Sequence, residues 1–373
     1  MLAKLDELKQ SLEGDFFTDN IMRTLYATDA SVYREMPLAV ARPKSVKDIQ
    51  NLIAFANKFK TSLIPRAAGT SLAGQVVGNG IIVDISLYWN KILEVNKEEK
   101  WVRVQPAVNL DELNKYLASY GLFFGPETST SNRCMIGGMV GNNSCGSHSI
   151  LYGTTRDHVL ELETLLSDGS VATFKTISKE AFQNKCKGDS LESSIYSYFD
   201  KTLSKKEIQD EIRKEFPKPS IRRRNTGYAI DELIETSVFT EGKEDFNMCK
   251  LLSGSEGTLA FTTEIKLNLV DLPPKIEGVL AVHLNTIEEA ALATIIARKY
   301  MPGAIELLDD IVLNCAKQNL EQQKNLFFVN GEPKAIIVVE WARHTKEEIE
   351  TLANQLEAEL KAANLGYHFP SVY

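Results

Sequence analysis

The chain contains no Cys-x-x-Cys pair. Its five cysteines, Cys134, Cys145, Cys186, Cys249 and Cys315, are odd in number and scattered. That excludes a zinc knuckle or an iron–sulfur ligand set and fits a reduced cytosolic setting. Positive charge is also scarce: 42 Lys and Arg against 50 Asp and Glu leave a net charge of −8. Nucleic acid is therefore not an expected partner, because its binding rests on cations neutralising phosphates. Long apolar runs are missing too. The longest stretch without a formal charge, between Arg133 and Arg156, is full of Gly, Asn and Ser and cannot be a transmembrane segment. The N-terminus alternates leucine with charge and lacks the apolar core of a signal peptide. No internal repeat or low-complexity segment is present. What remains is ordinary: 43 % hydrophobic and 25 % charged residues over 373 positions describe a globular, cytoplasmic protein of two or three domains.

The patterning alternates strands with helices, an α+β or α/β arrangement. Residues 1–36 read as a charged, helical lead-in. Ser45 with Asp48 makes a capping box that opens a helix running to about Phe59. Ser62–Pro65 and Gly80–Ile85 read as short strands, and Ile92–Val95 with Trp101–Val104 as a hairpin around the polar run 96–100. Asn109 caps a further helix that Gly121 closes. Residues 176–216 form a charged, mostly helical insertion. The strand Thr263–Val270 ends at Asp271-Leu-Pro-Pro274, whose two prolines mark a domain boundary. Beyond it, strands at 278–283, 305–308 and 335–341 alternate with helices at 287–300 and 346–363, a second and smaller domain.

Three glycine-rich segments carry the chemistry. Pro65-Arg-Ala-Ala-Gly-Thr-Ser71, continuing to Gln75, follows a strand directly. Its small residues let backbone N–H groups approach an anion, Thr70, Ser71 and Gln75 add donors, and Arg66 adds charge. A diphosphate suits such a nest; a tight structural turn is the alternative. The loop has neither the Gly-Lys-Ser/Thr of a Walker loop nor a G-x-G-x-x-G fingerprint. The second segment runs from Gly125 through Ser129, Thr130 and Met135-Ile-Gly-Gly138 to Asn142, Ser144 and Gly146. Paired glycines admit a flat ligand closely, and a long uncharged loop of this kind is usually functional or disordered. The third is Ser253-Gly-Ser-Glu-Gly-Thr258, which runs into a strand as a ligand wall or a plain turn.

Taken in this order, with Tyr152-Gly-Thr-Thr-Arg-Asp-His-Val159 between the second and third, the segments resemble the FAD-binding domain of the vanillyl-alcohol oxidase/p-cresol methylhydroxylase (PCMH) type. The branch they resemble contains the D-lactate, glycolate and D-2-hydroxyglutarate dehydrogenases, and the resemblance spans roughly residues 30–373. Arg222-Arg-Arg-Asn-Thr-Gly-Tyr228 resembles a segment of members that fuse the flavin part to an iron–sulfur part. The fold implied is α+β: a lead-in over 1–32, a two-subdomain FAD-binding PCMH-type domain over 33–272, and an incomplete ferredoxin-like cap over 273–373. Motifs and resemblance together assign FAD contacts to Pro65, Arg66, Ala67, Ala68, Gly69, Thr70, Ser71 and Gln75; to Ser129, Thr130, Met135, Gly137, Gly138, Asn142, Ser144, Gly146 and His148; to Val159; and to Glu256, Gly257 and Thr258.

The implied activity is oxidation of a D-2-hydroxy acid to the 2-oxo acid with FAD as hydride acceptor, and electrons passing on to an iron–sulfur domain or subunit. The implied location is cytoplasmic, with any membrane association made through a partner. An FAD-binding module inactive on its own and a nicotinamide-using flavin reductase of the same fold are the alternatives. Some relatives bond FAD through a histidine four residues after the loop arginine; Thr70 stands there, so non-covalent FAD is expected. Relatives also continue past residue 373, so the substrate-carboxylate ligands and catalytic base are expected outside this chain. No catalytic residue and no metal ligand is assigned within it. Cys134 and Cys145 read as packing residues, His158 as a local hydrogen-bonding residue, and Arg222–Arg224 as a solvated loop. Glu306, Asp309 and Asp310 read as surface or domain contacts, and nothing in the sequence assigns Trp341, Arg343 or His344 to a site.

Overall fold

The computed structural model describes residues 2–221, 223–225 and 227–373. They divide into two compact units. One runs to Gly146 and from Thr154 to Val270; the other comprises Ser147–Gly153 and Asp271–Tyr373.

The first unit is built on two sheets. Asp15–Phe17, Ala39–Arg42, Ile81–Asp84 and Leu63–Arg66 lie side by side in that order. The last three run parallel and the first runs antiparallel to its neighbour. The parallel strands are β-branched and apolar, with Val40, Ile81, Ile82 and Val83 fully buried, as strands covered on both faces must be. The connecting helix Val46–Phe59 starts at the N-cap Ser45, whose hydroxyl accepts the Asp48 N–H. It turns Ile49, Leu52, Ile53 and Phe55 inward.

The capping box forms only in part. The Asp48 carboxylate accepts from the backbone N–H groups of Glu13, Gly14 and Lys44 and pins the N-terminal segment to the helix. That segment is not only helical. Besides the helices Leu2–Gln10 and Asn20–Leu25 it supplies the strand Asp15–Phe17, whose Phe16 is buried with Leu5 and Leu8. Three residues with one buried position are too few for an alternation to register in the sequence.

The second sheet of this unit is antiparallel, in the order Ile92–Asn96, Trp101–Val104, Phe261–Asn268, Val159–Leu165, Val171–Lys175. The expected hairpin is present, with Asn96 Oδ1 accepting the Glu99 N–H in its turn. Helix Leu110–Leu117 is capped by Asn109 and its 3₁₀ extension ends at Gly121, φ +76°. The helices Lys179–Lys185, Leu191–Leu203 and Lys206–Glu215 bury Phe182, Tyr196, Leu203 and Ile212 in the same core as Leu162 and Phe174.

The second unit has an antiparallel sheet in the order Ala304–Asp309, Ala335–Arg343, Ile276–Leu284, Ser371–Val372. Along the chain the elements read strand, helix, strand, strand, helix, strand once the added helix Asp310–Gln318, between the second and third strands, is set aside; the fourth strand lies beside the first and the third between first and second. This is the ferredoxin-like arrangement. Strand alternation sorts the residues: Leu280, Val282, Ile337, Val339 and Trp341 pack under helices Ile287–Ala297 and Lys346–Ala362, while Ala281 and Ile336 meet Leu313 of helix Asp310–Gln318. Asp309 caps that last helix through the Val312 N–H, and Asp310 pairs with Lys334 at 2.8 Å. Trp341 is wholly buried and its Nε1–H donates to Tyr300 O at 3.0 Å, which makes it a core residue. Among the described residues no helix is long and apolar enough to cross a membrane.

Candidate functional site

The strand Leu63–Arg66 delivers the chain into a cavity of about 620 Å³ in the first unit. Its walls come from the segments singled out in the sequence. Pro65, Arg66, Ala67, Ala68, Gly69, Thr70, Ser71 and Gln75 form one side; Ser129, Thr130, Met135, Gly137, Gly138, Asn142 and Ser144 form another; Glu256 and Gly257 close a third. Ala30, Pro106 and Arg133, which sequence reasoning missed, also line it, as do Asn225, Leu252, Ser255 and Phe261, which were not among the assigned contacts. Met139, Leu252 and Phe261 supply apolar surface between the polar loops.

Arg66 does not offer its charge freely to the cavity. Its Nη1 donates to Thr28 O at 2.9 Å and lies 3.5 Å from Tyr26 O, and its guanidinium stacks 5.2 Å from the Tyr26 ring centre. Burial draws its pKa below the ordinary arginine value. The Tyr26 hydroxyl donates to Asp84 Oδ2 at 2.5 Å and accepts from Arg42 Nη2 at 2.8 Å. Burial, together with the Asp84 bond, raises the tyrosine pKa. Gly69 bends over this arginine at φ +67°, and a Cβ there would lie 2.7 Å from Arg66 Nη2. Just beyond, the Ser71 Oγ is buried with no hydrogen-bond partner.

Helix Ile136–Asn142 forms the second wall. Gly137 donates its N–H to Pro106 O at 2.7 Å, and a Cβ there would come within 2.5 Å of Pro106 Cβ; no larger residue fits. The third wall docks on the end of this helix through Gly254 N–H to Val140 O at 2.9 Å and Glu256 N–H to Gly141 O at 2.8 Å. Glu256 adopts the left-handed conformation, φ +53°, uncommon for a residue with a side chain. Gly257 follows at φ +70°, against Pro65. Gln75 Nε2 lies 3.5 Å from Glu256 Oε1, linking the first wall to the third.

Arg156 ties the walls together. Its Nε and Nη2 donate to Ser253 O at 3.2 and 2.6 Å, Nη2 donates to Gly227 O at 2.8 Å, and its backbone N–H donates to Asn143 Oδ1 at 2.8 Å. The residue is 4 % exposed, and burial lowers its pKa. The only signal for it in the sequence was a basic residue inside an otherwise matched motif.

Four residues assigned to the cofactor stand elsewhere. The His148 Nε2 lies 2.7 Å from Glu340 Oε1 in the second unit. Gly146 is packed against Glu127, where a Cβ would lie 2.6 Å from the Glu127 carbonyl oxygen. Val159 is buried at the start of its strand, and Thr258 bonds Ser255 O and the Tyr228 hydroxyl. None of the four lines the cavity.

Both cysteines flanking the glycine pair line the cavity, Cys134 as a buried packing residue and Cys145 half-buried. His158 is 3.3 Å from Asn268 O, a structural contact. Arg222 and Thr226 lie outside the described residues. Arg223 is exposed, but Arg224 is not solvated: it pairs with Asp231 and Glu232 and is largely buried.

Residues 37–175 match the family described as FAD binding domain. A Haemophilus influenzae protein named D-2-hydroxyglutarate dehydrogenase is 37 % identical over 94 % of this chain and 34 % of its own length. The Escherichia coli K12 protein of the same name is 33 % identical over 96 % of this chain and 35 % of its own. The chain thus spans about a third of the length of these curated relatives. Among solved structures, p-cresol methylhydroxylase with substrate bound is similar with a TM-score of 0.65 at 11 % identity, over 100 % of this chain and 65 % of that one.

The cavity fits that cofactor. Its size falls in the range of small-molecule sites, about 300–1,000 Å³, and the unpartnered Ser71 hydroxyl is a donor waiting for an acceptor. Glycines with no room for a Cβ bring backbone to the wall. Residues 37–175 match an FAD-binding domain, the chain has the fold of p-cresol methylhydroxylase, and its cofactor is FAD.

Proposed function

We propose that this chain is the flavin-binding part of an FAD-dependent dehydrogenase that oxidises a D-2-hydroxy acid, with D-2-hydroxyglutarate the first candidate. The observation that carries the reading is the three-walled cavity. Its loops belong to a chain similar, over nearly its whole length, to proteins named for that activity.

FAD, when bound, supplies the two-electron acceptor that such an oxidation needs. This chain's own residues hold and orient it. The loop at Ala67–Ser71 provides backbone and hydroxyl donors for an anionic group, the face of helix Ile136–Asn142 with Gly138 gives close approach to a flat ring, and Leu252, Met139 and Phe261 exclude water. Thr70 in place of histidine makes the attachment non-covalent. Electrons then pass to an iron–sulfur domain or subunit, and the protein is cytoplasmic. A second reading, an FAD-binding module that turns nothing over alone, is favoured by the share of its relatives that the chain spans.

The visible spectrum of the protein loaded with FAD, before and after anaerobic D-2-hydroxyglutarate, tests this. Bleaching of the flavin band is the expected result for the dehydrogenase. A band that persists leaves the module, bleaching by NADPH alone marks a nicotinamide-using reductase, and failure to bind FAD overturns both readings.

A further inference from the structure

Among the described residues Glu256 is the one carboxylate on the wall of a cavity whose cofactor is itself anionic. Its position is imposed. The backbone N–H is fixed on Gly141 O, the residue is held at φ +53°, and the next residue is a glycine pressed against Pro65. A non-glycine residue kept in a costly conformation beside a ligand site points to a role for its side chain. The side chain has one polar partner, the Gln75 amide at 3.5 Å.

The charged and titratable groups facing the same cavity do not neutralise it. Arg66 is held by the Tyr26 and Thr28 carbonyls, and Arg133 is exposed with its Nη1 on Asn132 Oδ1. Cys134 and Cys145 carry thiols, which add no positive charge. A carboxylate anion half-buried next to a diphosphate-bearing ligand would repel it. A neutral acid would donate to it.

We propose that Glu256 holds the cofactor as a neutral carboxylic acid, donating its proton to bound FAD, so that binding of FAD takes up one proton. This rests on the cavity being the FAD site. The balance is simple: free protein with an ionised Glu256, FAD and one proton give the complex, with no change in oxidation state. Burial already raises the Glu256 pKa in the free protein, with the Gln75 bond opposing it.

The test is FAD affinity, from quenching of flavin fluorescence, between about pH 5 and 8.5 for the wild-type chain, Glu256→Gln and Glu256→Ala. Above the Glu256 pKa the wild-type affinity is expected to fall about tenfold per pH unit. Glu256→Gln, a neutral donor of the same shape, is expected to bind FAD with affinity flat in pH and at least equal to the wild type at the alkaline end. Glu256→Ala is expected to be flat and weaker than Gln. A flat wild-type profile, or a Gln variant that keeps the wild-type slope, overturns the proposal and leaves the FAD site standing. A Gln variant as weak as Ala at every pH overturns it too. Absence of FAD binding by the wild type at every pH refutes the site itself.

Discussion

Replacing Arg156 by methionine removes a buried cation that holds three separated segments. The guanidinium gives hydrogen bonds to Ser253 O, on a residue with no exposed surface, and to Gly227 O, while a Cβ on Gly254 would lie 2.6 Å from its Nη2. A hydrogen bond from a charged donor contributes about 1.5–3 kcal/mol net. Two carbonyls lose their donor, and only part of that cost is recovered by no longer burying the charge. The expected loss is about 3–5 kcal/mol of unfolding free energy, and it falls on the docking of the 253–258 segment. FAD affinity should fall with it, because Glu256 and Gly257 lose their support. Lysine keeps the charge but cannot present two nitrogens in a fork, so Arg156→Lys should lie between methionine and wild type. Urea denaturation followed by circular dichroism, with FAD titration in parallel, measures both effects. A methionine variant within about 1 kcal/mol of wild type and with unchanged FAD affinity would refute the argument that this arginine assembles the walls.

Ser71→Ala deletes a buried hydroxyl that has no partner in the free protein. The free protein should therefore be as stable as wild type or more so, while FAD binds roughly fivefold more weakly for the loss of one net hydrogen bond of about 1 kcal/mol. Thermal melts with and without FAD would separate the two; equal FAD affinity would mean that the hydroxyl faces something else. Gly257→Ala and Gly121→Ala form a matched pair, at φ +70° and +76°. Each should cost about 1–2 kcal/mol for placing a Cβ in left-handed backbone. The Cβ at Gly257 also meets Pro65 Cγ at 3.3 Å, whereas that at Gly121 meets nothing within 4 Å. Only the Gly257 variant should weaken FAD, and equal affinities in the two would count against the third wall.

Much of the fold was legible because its signals were local. Ser45 and Asn109 cap helices through side-chain bonds three residues away, and the polar turn 96–100 closes a hairpin whose strands are β-branched. The glycine-rich segments were legible because close backbone approach restricts composition. The failures were long-range. Asp48 looked like half of a capping box, but its carboxylate serves backbone N–H groups 34 and 35 residues back. Ser147–Gly153 sits between two stretches of the first unit and belongs to the second, with His148 on Glu340, 192 residues away. Arg224 looked solvated because the local sequence is basic; its acidic partners come one and two residues into the next helix, Ile230–Ile234. Arg156 bonds to backbone carbonyls, which any residue can offer, so no sequence pattern marks its partners.

The matched FAD-binding family begins at residue 37, yet the first wall of the cavity is shaped by residues before it. Ala30 donates its N–H to Gly69 O at 3.2 Å, Thr28 accepts from Arg66, and the Tyr33 ring packs where a Cβ on Gly74 would lie 2.7 Å from its Cδ2. Tyr26 places its ring under Arg66 and its hydroxyl on Asp84, the residue paired with Arg66 across the parallel strands. A loop of small residues and glycines has little stiffness of its own, since its backbone entropy is high and its side chains offer few contacts. Rigidity has to come from outside it. In this chain it comes from a segment that looks, by composition, like a lead-in. Arg66 Nη1 is engaged in that brace, and the loop's other donors for an anionic cofactor are its backbone N–H groups and the Thr70, Ser71 and Gln75 side chains. On the proposed reading, the site favours the cofactor's anionic group through oriented dipoles on a braced loop, with the nearest arginine acting mainly through the shape it gives that loop.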